Sequence, residues 1–394
     1  MIRTLLDAFA ARFGPGESPR LFFAPGRVNL IGEHTDYNGG HVFPCALTLG
    51  TWCAARKRAD RALRMFSLNF PDAGVIETSI DETKPLPDRC WGNYPLGVVR
   101  AFTDAGYAPD AGMDLAFRGD IPAGSGLSSS AALEVLTGTV LKGLFGLPVG
   151  GKEIALLGQR AENDFVGLSC GIMDQFASAM GKRDHAIFLD TQTLDYAYAP
   201  LRLDGAHILI VNSMVKHALA GSAYNDRRSE CERALADLRA VRPGLPSLGA
   251  LTPEEFDALS GAVSDPVCRK RAKHAVYENA RTVSAFDALR GGRLDEFGHL
   301  MNESHVSLRD DYAVSCPEVD LLTELAWRCP GVLGARITGG GFGGCTVNIV
   351  SDGAAAEFSE TVRREYAAET GLDAQIYTVS AGDGAKEITQ EVEL

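Results

Sequence analysis

The chain has few of the features that announce a compartment or a macromolecular partner. Its nine cysteines stand singly between Cys45 and Cys345, in odd number and with no Cys-x-x-Cys pair. That argues against a disulfide framework or a zinc site and fits reduced thiols in a cytoplasmic protein. No basic run exists, and 38 Lys and Arg against 51 Asp and Glu give a formal net charge of −13. So acidic a balance argues against nucleic acid or a membrane surface as the main partner. No apolar run reaches membrane-spanning length. The first residues carry Arg3, Asp7 and Arg12 among Leu5, Leu6, Phe9 and Phe13, a helical stripe and not the apolar stretch of a signal peptide. Repeats, low-complexity tracts and long linkers are absent. So are a Walker phosphate loop and the G-x-S-x-G turn of serine hydrolases.

The chain does have the composition of a soluble globular protein, with 45% hydrophobic and 23% charged residues over 394 positions. At about 150 residues per domain, the length suggests two domains or one large one. Periodicity predicts a helix over 1–14, strands within 21–24, 42–58 and 63–80, a helix over 92–106 and a half-buried strand over 113–118. A helix-rich stretch covers 128–181, β signals return over 184–212, and 222–241 reads as a charged helix. Thr252-Pro253-Glu254-Glu255 forms a capping box, with Leu251 and Phe256 available as a staple. Further helices follow from Asp265-Pro266 to about Leu289, over 294–305 and over 317–328. Arg336-Ile337-Thr338 and 345–350 read as strands on either side of a glycine loop. Strands precede helices in each half, so the fold class is α+β.

Between strand 113–118 and the next helix lies Pro122-Ala123-Gly124-Ser125-Gly126-Leu127-Ser128-Ser129-Ser130. Glycines allow close backbone approach, and a helix start offers free N–H groups that suit phosphate. The segment therefore reads either as a nucleotide-phosphate cradle or as a glycine-rich turn with a serine N-cap. Gly339, Gly341 and Gly344 fit G-x-G-x-x-G, but a strand pattern follows where a dinucleotide site needs a helix. That disfavours an oxidoreductase and leaves a loop packed on a ligand or on another backbone. Glu33, His34 and Asp36 cluster within four positions. They could bind a polyhydroxylated ligand or simply form a solvated loop; no further His motif supports a metal there. Asp174, among Ile172, Met173, Phe176 and Ala177, is either a partly buried carboxylate needing a partner or a first-turn Asp facing the helix dipole. By itself, Glu162 reads as an ordinary surface glutamate.

Three separated segments together resemble one family. Pro25-Gly26-Arg27-Val28-Asn29-Leu30-Ile31-Gly32-Glu33-His34-Thr35-Asp36-Tyr37 is similar to the galactokinase signature. Residues 122–131 resemble the ATP-phosphate motif of the GHMP small-molecule kinases, and Gly339-Gly340-Gly341-Phe342-Gly343-Gly344-Cys345 their third motif. Cys170-Gly171-Ile172-Met173-Asp174-Gln175 and Met301-Asn302-Glu303-Ser304-His305, with Asp311-Tyr312 after it, also resemble galactokinases. The resemblance implies a two-domain α+β fold with the active site between domains of residues 1–185 and 186–394. It implies ATP-dependent phosphorylation of galactose at its C1 hydroxyl, with Asp174 and Arg27 catalytic. Glu33, His34, Thr35, Asp36, Gly171 and Tyr224 would bind the sugar. Trp91, Gly124, Ser125, Gly126, Leu127, Ser128, Ser129 and Ser130 would bind ATP, and Ser130 with Glu162 would hold Mg²⁺. The expected partners are galactose and ATP, with no nucleic acid or membrane, in a cytoplasmic monomer. Rival expectations are a kinase for N-acetylgalactosamine or arabinose, or a non-catalytic regulator that binds sugar and ATP.

Overall fold

The computed structural model describes every residue except 88–89, 123–124, 202, 204, 216–219 and 392–394, and the side chains of 220–222. The chain opens on helix α1 (Ile2–Phe13), whose Leu5, Phe9 and Phe13 recur every four residues and form its buried face. Strand β1 (Arg20–Asn29) runs past the apolar Leu21–Ala24 segment into the Pro25-Gly26-Arg27 motif. The short β2 (His41–Val42) precedes β3 (Pro44–Lys57), β4 (Ala62–Ser67) and β5 (Ile76–Ser79). Helix α2 (Asn93–Asp104) and strand β6 (Met113–Gly119) lead to α3 (Ser129–Phe145), α4 (Gly151–Arg160) and α5 (Met173–Met180). A π-helical turn, Ala161–Val166, prolongs α4.

Strands β7 (His185–Asp190), β8 (Tyr196–Pro200) and β9 (Ala206–Asn212) follow. Five helices come next: α6 (Ala220–Val241), α7 (Pro253–Leu259), α8 (Pro266–Arg290), α9 (Leu294–Asp310) and α10 (Pro317–Arg328). The chain then forms β10 (Val332–Thr338), β11 (Cys345–Ser351), α11 (Ala355–Thr370), β12 (Gln375–Val379) and β13 (Lys386–Glu387).

Described residues build three sheets, ordered β13-β1-β3-β6-β4-β5, β10-β11-β9-β12 and β2-β7-β8. Helices α2, α3 and α4 cover one face of the largest, packing Leu96, Phe102, Leu136 and Val140 on Leu115 and Phe117. Helix α1 covers the other face, packing Leu5 and Phe9 on Leu21, Ala54 and Ala116. Strand β6 is therefore buried on both faces, not half-buried as its alternation predicts. Its polar position, Asp114, is 1% exposed. Arg56, Arg58 and Arg64 reach this carboxylate at 2.8, 2.9 and 2.7 Å. Burial alone would raise the Asp114 pKa, but the three guanidiniums hold it below the usual carboxylate value. The alternation is real; the outward partner is a charge cluster under α1 and not water.

Strands β1 and β10 and the N-termini of α3 and α5 converge on one point. The register of β1 on β3 shifts between Pro25 and Arg27, turning the end of the strand. Arg27 N donates to the Leu127 carbonyl at 3.2 Å, and Ser178 of α5 donates to the Pro25 carbonyl at 2.7 Å. A Cβ on Gly339 would stand 2.7 Å from the Gly126 carbonyl, so the two glycine-rich loops touch backbone to backbone.

Candidate active site

Arg27 and Asp174 meet in a cavity of about 250 Å³ where these elements converge. Nη2 of Arg27 lies 2.8 Å from Asp174 Oδ1, while Nη1 donates to the Gly126 carbonyl at 2.6 Å. Ser128 Oγ donates to Asp174 Oδ2. The Arg27 side chain is 3% exposed and that of Asp174 31%, so a buried cation holds a carboxylate that faces the cavity. Asp174 thus has a partner, and Ser128, although at the N-cap position of α3, does not cap it: its side chain makes no capping bond, and its φ is +60°. A left-handed serine is a strained one.

The first motif forms the opposite wall. Glu33, His34, Asp36, Gly171 and Tyr224 all line the cavity. Asp36 accepts from Tyr37 N at 3.1 Å and from Met173 N at 3.5 Å. Burial, with Asp174 as a second negative charge nearby, pushes its pKa up to about 6. A Cβ on Gly171 would collide with the Asp36 carboxylate, which accounts for glycine there. Glu33 is fully enclosed: it pairs with Arg336 at 2.7 Å, accepts from Gly339 N at 2.6 Å and accepts from Asn29 Nδ2. Thr35 is not on the cavity wall. Its hydroxyl lies 2.8 Å from the Gly32 carbonyl and 2.6 Å from that of His41, and so shapes the loop.

Gly126, Ser128, Ser129, Ser130 and Glu162 complete the wall on the serine side. Ser125 and Leu127 are 1% exposed and lie behind it; Gly124 falls outside the described residues. The surface reading of Glu162 fails, since it is 3% exposed. It sits in the π-helical turn, where the extra backbone loop turns its side chain inward. Gln175 Nε2 donates to it at 2.7 Å, and burial pushes its pKa up to about 7. The same Gln175 nitrogen reaches Glu134 at 2.9 Å. Glu134 is 0% exposed, and burial raises its pKa well above the ordinary value. Sequence reasoning missed it; the signal was a lone acid within Ala131-Ala132-Leu133-Glu134-Val135-Leu136. Among the described residues no three His, Cys, Asp or Glu side chains form a metal cluster.

A second cavity of about 270 Å³ adjoins the first and shares Ser129 and Ser130 with it. Trp91 lines it, facing Phe70 with ring centroids 6.5 Å apart and planes 13° from parallel. Phe70 is a wall residue that sequence reasoning missed. It is 52% exposed, and a lone aromatic at a turn carries no signal of its own.

Comparisons with known proteins show the family. A galactokinase galactose-binding signature matches residues 7–57, a GHMP kinase N-terminal domain 93–182 and a GHMP kinase C-terminal domain 285–368. A galactokinase of Clostridium beijerinckii is 51% identical, covering 98% of this chain and 99% of that protein. One from Bacillus subtilis is 49% identical, covering 99% and 100%. The crystal structure of Lactococcus lactis galactokinase complexed with galactose superposes with a TM-score of 0.96 at 45% identity, covering 98% of this chain and 99% of that one. A Methanococcus jannaschii mevalonate kinase, 17% identical with a TM-score of 0.65, shares the fold. With its signature, its length and its architecture all matched, the chain belongs to the galactokinase family of GHMP kinases.

Proposed function

We propose that this protein transfers the γ-phosphoryl group of ATP to the anomeric C1 hydroxyl of D-galactose, giving α-D-galactose 1-phosphate and ADP. The observation that carries this reading is the Arg27–Asp174–Ser128 cluster, which joins the serine loop to the Glu33–Asp36 wall. Phosphoryl transfer depends mainly on positioning and charge stabilisation. Asp36 accepts from two adjacent sugar hydroxyls, beside Tyr224, while Glu33 and His34 face the far end of the ring. C1–OH then lies against Asp174. As O1 bonds to the γ-phosphorus, its proton passes to the Asp174 carboxylate, the bond from that phosphorus to the β,γ-bridging oxygen breaks, and ADP leaves. Arg27 steadies the charge that develops on the transferred group.

Mg²⁺, bound with ATP, would neutralise phosphate charge. Glu162, a buried carboxylate with no cationic partner among the described residues, and the neighbouring Ser130 would hold it. Such a pair suits Mg²⁺, which takes one or two carboxylates and completes its shell with water and phosphate oxygens. We assign residues 1–185 to the sugar and serine-loop domain and 186–394 to the domain of the third motif. Nine free cysteines suit a reducing cytoplasm, and we take the enzyme to be a monomer. An ADP-release assay across galactose, N-acetylgalactosamine, arabinose and glucose tests the substrate. Galactose should give by far the highest kcat/KM, and a better rate on another sugar would replace it. Asp174→Asn should lower kcat by at least about a hundredfold and leave galactose affinity within a few fold. Near-normal turnover would remove Asp174 from the proton transfer.

A further inference from the structure

His34 is the imidazole of the sugar-side wall, 4% exposed, and its second nitrogen has no partner of normal geometry among the described residues. Nδ1 lies 2.7 Å from the Tyr37 hydroxyl. Nε2 is buried and, among the described residues, makes no hydrogen bond of normal geometry, although the Gly340 backbone lies close enough to favour the protonated ring. Burial lowers the His34 pKa to about 3, so the ring is neutral, with one N–H and one lone pair. Which nitrogen carries the proton decides what the cavity is offered. The backbone at His34 is left-handed, φ +63°, and the ring itself is placed by Tyr37 and Tyr312.

Behind Nδ1 runs a line of hydroxyl and thiol groups. Tyr37 OH lies 2.8 Å from Tyr312 OH, and Tyr312 OH lies 3.2 Å from Cys231 Sγ. Asn38 Nδ2 lies 3.7 Å from that sulfur and 2.7 Å from the His34 carbonyl. A carbonyl can only accept, so this Asn38 atom is the amide nitrogen and can only donate. One end of the line is thereby fixed. Cys231 accepts from Asn38 and donates its S–H to Tyr312, Tyr312 donates to Tyr37, and Tyr37 donates to Nδ1. The reverse order would make the sulfur accept twice and leave its S–H idle in a buried site. It would also make imidazole the donor to a phenol, the weaker pairing of the two. The Tyr312 ring packs between His34, at 4.8 Å and 39° from parallel, and His274, at 4.4 Å and 41°, which holds the line in place.

We propose that Asn38, Cys231, Tyr312 and Tyr37 form a one-way hydrogen-bond relay that locks His34 in its Nε2–H form, making the imidazole a donor to the sugar's C6 oxygen. The inference rests on the galactose reading above. Tyr312 and Cys231 touch no substrate; they are positioning residues.

The test has two arms. In the first, the protein is labelled with ¹⁵N-histidine, and the ring shifts of His34, assigned with a His34→Gln variant, report the tautomer without any sugar. The wild type should show Nε2–H, and Tyr312→Phe should shift the ring toward a tautomer mixture. A wild-type ring in the Nδ1–H form, or shifts unmoved by Tyr312→Phe, would overturn the relay. In the second, kcat/KM is measured for galactose and 6-deoxygalactose. Tyr312→Phe should cost galactose up to about tenfold, mostly through KM, and cost the 6-deoxy sugar much less. Cys231→Ser should keep the wild-type preference and Cys231→Ala should weaken it, because only serine retains a donor. Equal losses on both sugars would mark the line as packing alone. His34→Ala, which removes the donor, separates the two ideas: if it leaves the ratio between the two sugars unchanged, the C6 reading fails whatever the tautomer.

Discussion

At the scale of single residues, chemistry at this site follows from what burial does to carboxylates. Asp114 and Asp36 are the same residue type in opposite surroundings. Three guanidiniums hold Asp114 ionised, whereas Asp36 has two backbone donors and Asp174 as a negative neighbour. Its pKa of about 6 lies above the ordinary 3.8, so the folded protein binds this proton more tightly than the unfolded chain. Asp36 therefore weakens the fold as pH rises from about 4 through 6, and it is ionised only above that window. Sugar hydroxyls donate best to the ionised form, which accepts at both oxygens. Galactose binding without nucleotide should therefore weaken about tenfold from pH 7 to pH 5, and Asp36→Asn should remove that dependence. Calorimetric titration at the two pH values measures it; a wild-type affinity constant over this range would show that Asp36 is not the group being read. Sequence displayed the acid at position 36 but not this shift, which comes first from burial and then from Asp174, supplied by a distant segment.

Elements were legible wherever their signals are local. The box at Thr252 is present, with Glu255 N donating to Thr252 Oγ1 at 3.2 Å and Thr252 N to Glu255 Oε2 at 3.0 Å. Leu251 and Phe256 are buried in the same cluster beneath it. The strand after the glycine loop is also present, as β11. Patterns beyond Val350 assign nothing, yet α11, β12 and β13 lie there. The buried stripe of α11 is only Phe358, Val362 and Tyr366, and β13 is two residues long, formed by pairing with β1. Pairing with a strand from the other end of the chain leaves no local mark. The turn after β4 is a similar case, since it brings Phe70 opposite Trp91. Our hypothesis is that the adenine of ATP stacks against this pair. Stacking on an aromatic ring contributes about 1–3 kcal/mol, so Phe70→Ala should raise KM for ATP at least about fivefold. KM for galactose should stay within about twofold, because Phe70 lines the second cavity and not the first. Unchanged ATP kinetics would leave Trp91 without a partner in this role.

On the scale of the whole molecule, the site exists because segments far apart in sequence are tied together, and Arg336 is the main tie. It lies on β10, is 0% exposed, pairs with Glu33 at 2.7 Å and donates to the Asn29 and Leu30 carbonyls at 3.1 and 3.2 Å. Glu33 in turn accepts from Gly339 N, so one ion pair joins the first motif to the third. Sequence could mark 336–338 as a strand but not this pairing, because a charged residue in a short strand ordinarily faces water. Burial raises the Glu33 pKa even with Arg336 beside it, so desolvation outweighs the attraction. Such a pair contributes little net stability, but losing one partner leaves the other charge uncompensated. Arg336→Met should therefore destabilise the protein by about 3–5 kcal/mol in urea unfolding. Glu33→Gln added to Arg336→Met should recover part of that loss, because the stranded charge is gone. Both variants should bind galactose poorly, since the tie that sets the wall is cut in each. A loss below about 1 kcal/mol for Arg336→Met, or no recovery in the double variant, would mean that backbone contacts between the glycine loops hold the two motifs together without the ion pair.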